Sequence, residues 1–107
     1  MDTLLIDDEP AANRELRHPS LTVVGQAVNI QEGLQKIVRL QPDLIFLDIE
    51  MPGGSGFDLI RQLPKGNRPE IIFVTSQSNH TLRAFSCAAL GYVLKPVENK
   101  PLAEAIA

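Results

Sequence analysis

The sequence predicts an α/β domain, an open parallel sheet wrapped by helices. Three observations point there: five short apolar runs recur along the chain, segments with helical spacing separate them, and proline or glycine marks the joins. The runs are Thr3–Ile6, Leu21–Ala27, Leu44–Leu47, Ile71–Val74 and Tyr92–Leu94. Several are continuously apolar rather than alternating, as expected of parallel strands covered on both faces.

Helical segments lie between the runs. A first helix fits only from Pro10 to Arg17, because Pro19 stops it. Ile30, Leu34, Ile37 and Val38 fall at i, i+4, i+7 and i+8 and form one apolar stripe. Phe57, Ile60 and Leu63 form a second stripe, widened by Leu59, and Leu82, Phe85 and Ala89 form a third. A last helix begins near Asn99, a good cap residue, with Pro101 in its first turn. It extends about two turns before Ala107 and is read as truncated. The expectation is therefore one domain over residues 1–107, with a C-terminal output domain missing from this chain.

Composition excludes several classes. The 107 residues suffice for one compact domain, and 44% hydrophobic with 21% charged residues argues against disorder. A net charge of −3 leaves no basic excess to hold a phosphate backbone, so direct nucleic-acid binding is not expected. The single Cys87 cannot form an internal disulfide. No apolar run approaches the roughly 18 residues of a membrane span, and Asp2 stands where a signal peptide carries basic residues. A cytoplasmic domain is expected.

In sheets of this kind the ligand site lies beyond the carboxyl ends of the strands. Asp7, Asp8 and Glu9 follow the first run, and Asp48 follows the third. Thr75 and Ser76 come at the end of the fourth, and Lys95 and Pro96 after the fifth. If strands one and three are neighbours, three carboxylates converge. Their mutual repulsion is resolved by a hard divalent cation, and carboxylate oxygens are what Mg²⁺ prefers. Mg²⁺ is seldom satisfied by protein oxygens alone, and Lys95 and Thr75 add an ammonium and a hydroxyl suited to a multi-oxygen anion. The constellation reads as an aspartate that accepts a phosphoryl group under Mg²⁺ and lysine stabilisation. Taken singly, each residue has a plainer reading: a turn or cap aspartate, a structural threonine, a solvated lysine. Their common position at strand ends favours the joint one.

The segments LLIDDEP, DLIFLDIEMPGGSGFDLI, IIFVTS and GYVLKP resemble the receiver domain of two-component response regulators over essentially the whole chain. The stretch FVTSQSNHTLRAFSCAALGYVLKPVE also looks like the subgroup whose receivers precede LytTR-type DNA-binding domains. The resemblance implies a flavodoxin-like, CheY-like sheet of order 2-1-3-4-5 with helices on both faces. It implies Asp48 as phosphoacceptor, and Asp7, Asp8, Asp48 and the Glu50 backbone carbonyl as Mg²⁺ ligands. Asp8 would be the more direct ligand of the acidic pair and Asp7 would act largely through water. Lys95 would contact the phosphoryl oxygens, with a cis Lys95–Pro96 peptide. Thr75 and Tyr92 would be the switch pair, and Glu50 and Gln77 would tune dephosphorylation. The implied partner is a histidine kinase or phosphotransfer protein. A homodimer through the fourth helix, fifth strand and last helix is a further expectation, and catalysis is limited to self-phosphorylation and self-dephosphorylation.

Two departures stand out. The first helix is short by a turn or more, which bears on partner docking. Gly53-Gly54-Ser55-Gly56 is expected to be more flexible than the usual loop after the phosphoacceptor, because of its extra glycines. Three other readings share parts of the pattern. A flavodoxin-like FMN binder would need a hydroxyl-rich phosphate loop where Asp7-Asp8-Glu9 stands. An aspartate-based phosphohydrolase would usually carry a second acid two residues after the nucleophile and Thr or Val two beyond it, where Glu50 and Pro52 stand. A receiver that acts by protein–protein interaction without phosphorylation is the third.

Overall fold

A computed structural model describes residues 1–8, 19–51, 54–63, 68–75 and 91–94. Five strands form the main sheet: β1 (Asp2–Ile6), β2 (Thr22–Ala27), β3 (Leu44–Leu47), β6 (Glu70–Thr75) and β7 (Gly91–Leu94). Their order is β2-β1-β3-β6-β7, and every adjacent pair is parallel. These five are the runs found in the sequence, each extended or trimmed by no more than a residue or so at an end.

The sequence pattern missed a small antiparallel hairpin, β4 (Glu50–Met51) with β5 (Gly54–Ser55). It raises the strand count, so the expected 2-1-3-4-5 becomes 2-1-3-6-7 in chain numbering. Two helices are described, α1 (Ile30–Leu40) and α2 (Gly56–Arg61). The first, fourth and last helices of the sequence reading lie outside the described residues.

The continuous apolar runs have the consequence expected of them. Leu4, Ile6, Ile45, Leu47 and Phe73 face one cluster, which α1 and α2 cover. Leu5, Leu44, Phe46, Ile72 and Val74 face a second cluster on the other side of the sheet, and they are equally buried. Apart from Asp2 and Glu70 at their starts, β1, β3 and β6 are buried on both faces, and that is why alternation is absent. β2 is one of the two edge strands and keeps Val23 exposed.

Asn29 caps α1 by accepting from the Glu32 amide at 2.8 Å. Ile30, Gly33 and Ile37 are its buried positions. Val38, counted in the expected stripe, is 73% exposed. At about 100° per residue, Val38 turns well away from the line through Gly33 and Ile37. The stripe is centred on the glycine side, where α1 approaches Ile6 and Leu59 closely. The second stripe is as expected, with Phe57, Leu59, Ile60 and Leu63 all buried.

α1 ends at Gln41, whose backbone is left-handed at φ 46°, ψ 59° and whose N–H donates to the Ile37 carbonyl. A side chain in that region costs about 1–2 kcal/mol, and glycine is the usual occupant. Gln41→Gly should therefore stabilise the domain by about 0.5 kcal/mol after the unfolded-state entropy of glycine is subtracted. A urea midpoint that rises at unchanged slope is the expected result, and a lower midpoint would contradict this reading of the cap.

Candidate functional site

The site grows out of strand register. Ile6 of β1 pairs with Leu47 of β3, so the next residues, Asp7 and Asp48, leave adjacent strands side by side. Each continues its ladder by one bond: the Asp7 amide donates to Ala27 O and the Asp48 amide to Ile6 O, both at 2.9 Å. The backbone at this edge is thereby fixed before the side chains are considered. Asp7 and Asp48 are buried, at 3% and 5% exposure, and Asp8 is exposed.

One oxygen from each of Asp7, Asp8 and Asp48 can be chosen so that all lie within 4.8 Å of one another. Two unit charges at that spacing repel by about 1 kcal/mol in water and several-fold more in a partly buried setting. Three hard oxygen donors, two of them shielded from water, are a donor set that fits Mg²⁺ or a similar cation. The chemistry of the donors, and the repulsion they would otherwise keep, both favour such an ion.

Thr75 ends β6 at the same edge of the sheet, is 1% exposed, and pairs with Leu94 of β7. Tyr92 is half-buried against the first cluster, its ring 6.3 Å from that of Phe73. Phe73 lies 5.0 Å from Phe57 of α2, so an aromatic row runs from α2 over β6 to β7. Glu50 is exposed at the start of β4, where it pairs with Ser55. Lys95, Pro96 and Gln77 lie outside the described residues, as do Ser76, Glu9, His18, His80 and Cys87.

The described residues after Asp48 are held by specific bonds. Ile49 O accepts from the Gly56 amide at 2.7 Å, closing the hairpin back onto the strand end. Gly54 has φ +155°, and a Cβ there would sit 2.7 Å from Ile30 Cδ1. Its backbone angle calls for glycine. Ser55 then caps α2 in a reciprocal box: its amide donates to Asp58 Oδ2 at 2.9 Å and its Oγ accepts from the Asp58 amide at 3.3 Å. Arg61 pairs with the same Asp58. The Ser-x-x-acid spacing before an apolar run was the available sequence signal for this box.

Comparison with known proteins bears on the whole chain. The family model for the response regulator receiver domain matches residues 3–107. An uncharacterized response regulatory protein of Vibrio cholerae is 43% identical over 99% of the chain and 47% of its own length. The transcriptional regulatory protein BtsR of Salmonella typhi is 38% identical over 92% of the chain and 44% of its length. The sensory transduction protein LytT of Enterococcus faecalis is 37% identical over 99% and 46%. The chain thus spans about half the length of the curated relatives it matches. Among solved structures, the response regulatory domain of mrkE from Klebsiella pneumoniae superposes with a TM-score of 0.88 at 28% identity, covering 99% of this chain and 92% of that one. Among the described residues no helix is long and apolar enough to cross a membrane.

The acidic cluster has a thermodynamic signature. In metal-free buffer, Asp8→Asn should raise stability by about 0.5–1 kcal/mol, because it removes repulsion at an exposed position. Added Mg²⁺ should stabilise the unaltered chain more than the variant, by mass action on the folded state. Paired thermal melts with and without Mg²⁺ read both effects, and equal Mg²⁺ responses would contradict a shared cation site.

Proposed function

The chain belongs to the response regulator receiver domains, and from that premise we propose that Asp48 is a phosphoacceptor whose modification switches the domain between two conformers. The observation that carries this reading is the closeness of Asp7, Asp8 and Asp48 at one edge of a parallel sheet. Asp48 is the buried carboxylate directly after β3, held by its amide bond to Ile6. An Asp48 carboxylate oxygen attacks the phosphorus of a partner's phosphohistidine or of a small donor such as acetyl phosphate. The new O–P bond forms as the N–P or O–P bond of the donor breaks, and the leaving group departs with its electron pair.

Asp7, Asp8, Asp48 and the Glu50 carbonyl are the residues that would hold Mg²⁺. When bound, that ion supplies charge stabilisation to the transferring phosphoryl oxygens. Lys95 is assigned a second positive charge facing those oxygens, beside a cis peptide at Pro96, on the strength of the GYVLKP resemblance. Thr75 donates its hydroxyl to the new anion. Withdrawal of Thr75 toward Asp48 leaves space that the Tyr92 ring takes up. The added charge and acceptor oxygens thus bias a two-state element. Glu50 and Gln77 set how readily water attacks the acyl phosphate and returns the domain to rest.

The histidine kinase or phosphotransfer partner, a cytoplasmic location and an output through a DNA-binding domain follow from the same premise. Relatives about twice as long, one of them named a transcriptional regulatory protein, support the last of these. The proposed dimer face takes in β7 together with the fourth and last helices expected from the sequence. The domain modifies and restores itself and has no separate substrate.

Intact mass after incubation with acetyl phosphate and Mg²⁺ tests the assignment. The unaltered chain should gain one phosphate, and Asp48→Asn and metal-free samples should gain none. A phosphate-sized gain in Asp48→Asn would move the acceptor elsewhere, and no gain in either chain would favour an interaction module that is not phosphorylated.

A further inference from the structure

Gly56 is the first residue of α2 and is buried. Its amide donates to Ile49 O at 2.7 Å, so the helix start is tied to the segment that leaves β3. A Cβ built on Gly56 would lie 2.6 Å from the backbone oxygen of Asp48 and 3.0 Å from Leu47 Cγ. These neighbours differ in kind from those around other tight glycines. At Gly25 the crowding atoms are Leu40 Cδ1 at 2.9 Å and Leu4 Cδ1 at 3.3 Å, both side-chain ends. A side-chain end rotates aside, whereas a peptide oxygen moves only with its backbone.

Which backbone would move is decided by what is pinned. The start of α2 is held by the Ser55–Asp58 box, and Phe57 is buried with its ring 5.0 Å from Phe73. Leu47 is fully buried in β3, whose register is fixed on both sides, by Ile6 and by Phe73. The atom struck is the oxygen of the Asp48–Ile49 peptide itself, so a Cβ at Gly56 displaces that peptide against the bonds that tie Asp48 to Ile6 and Ile49 to Gly56. That peptide joins the Asp48 carboxylate to the segment leading to the Glu50 carbonyl.

We infer that Gly56 is a positioning residue: by lacking a side chain it lets α2 abut the Asp48 main chain and hold the acidic cluster in its metal-binding geometry. The inference rests on the proposed function, which makes Asp48 and Glu50 part of a Mg²⁺ site. It concerns a residue that touches neither metal nor phosphoryl group.

The test compares Mg²⁺ affinity, read from backbone amide shifts during MgCl₂ titration, for the unaltered chain, Gly56→Ala and Gly25→Ala. Far-ultraviolet circular dichroism gives the folded fraction of each. Gly56→Ala should weaken Mg²⁺ binding about tenfold while folded, in the range seen when supports of metal ligands are altered. Gly25→Ala should remain within about twofold, because its strain is absorbed by side chains. A folded Gly56→Ala with unchanged affinity would overturn the inference, as would an equal loss in Gly25→Ala. If Gly56→Ala does not fold, Asp58→Ala carries the test, since it loosens the same helix start. A loss of about threefold is then expected, and unchanged affinity overturns the inference. Absence of Mg²⁺ binding by the unaltered chain would overturn the site reading itself, and would be seen before any variant is compared.

Discussion

Parallel pairing of β1 with β3 sets Asp7 and Asp48 next to each other, and Asp8 follows immediately. The fold therefore gathers negative charge where two strands end, in a place that is largely closed to water. Such a grouping works against stability unless a cation joins it. Everything else about the site follows from holding that arrangement rigid. Buried clusters on both sheet faces fix the strands, and backbone bonds carry the ladders one residue past Ile6 and Leu47.

The hairpin and α2 serve the same end. An exit from β3 with only a flexible loop would leave Asp48 free to relax away from Asp7 and Asp8. Instead the chain doubles back, Gly56 binds Ile49 O, and the Ser55–Asp58 box starts a short helix whose apolar side enters the core. Residues chosen against local propensity, the glycines at 54 and 56, occupy places where a side chain would strike Ile30 or Asp48. Departures from local rules at functional edges are the usual pattern in natural folds.

Much of this was legible in the sequence because burial on both sheet faces leaves continuous apolar runs. β1, β3 and β6 were plain for that reason, and Asp7, Asp8 and Asp48 could be placed together once β1 and β3 were taken as neighbours. The helix over Phe57, Leu59 and Ile60 was readable from spacing, although it ends at Arg61 and Leu63 is buried beyond its cap. Val38 was misjudged, because a stripe of large apolar residues does not reveal that the buried arc runs from Ile30 through Ile37 to Gly33, on the side away from Val38. The hairpin was invisible because each of its strands has two residues, too few for any periodicity. Its glycines suggested looseness, and their role as close-contact positions depends on Ile30 and Asp48, which only the fold brings near.

The central claim is that one divalent ion binds at the joined ends of β1 and β3. Replacing Mg²⁺ by Mn²⁺ gives the most direct measurement, since a paramagnetic ion broadens nearby amide signals in proportion to proximity. Selective broadening at Asp7, Asp8, Asp48 and their immediate neighbours, reversed by excess Mg²⁺, is the predicted result. Broadening centred instead on Asp2, Asp43 and Glu70 at the opposite pole of the sheet, or none at all, would contradict it.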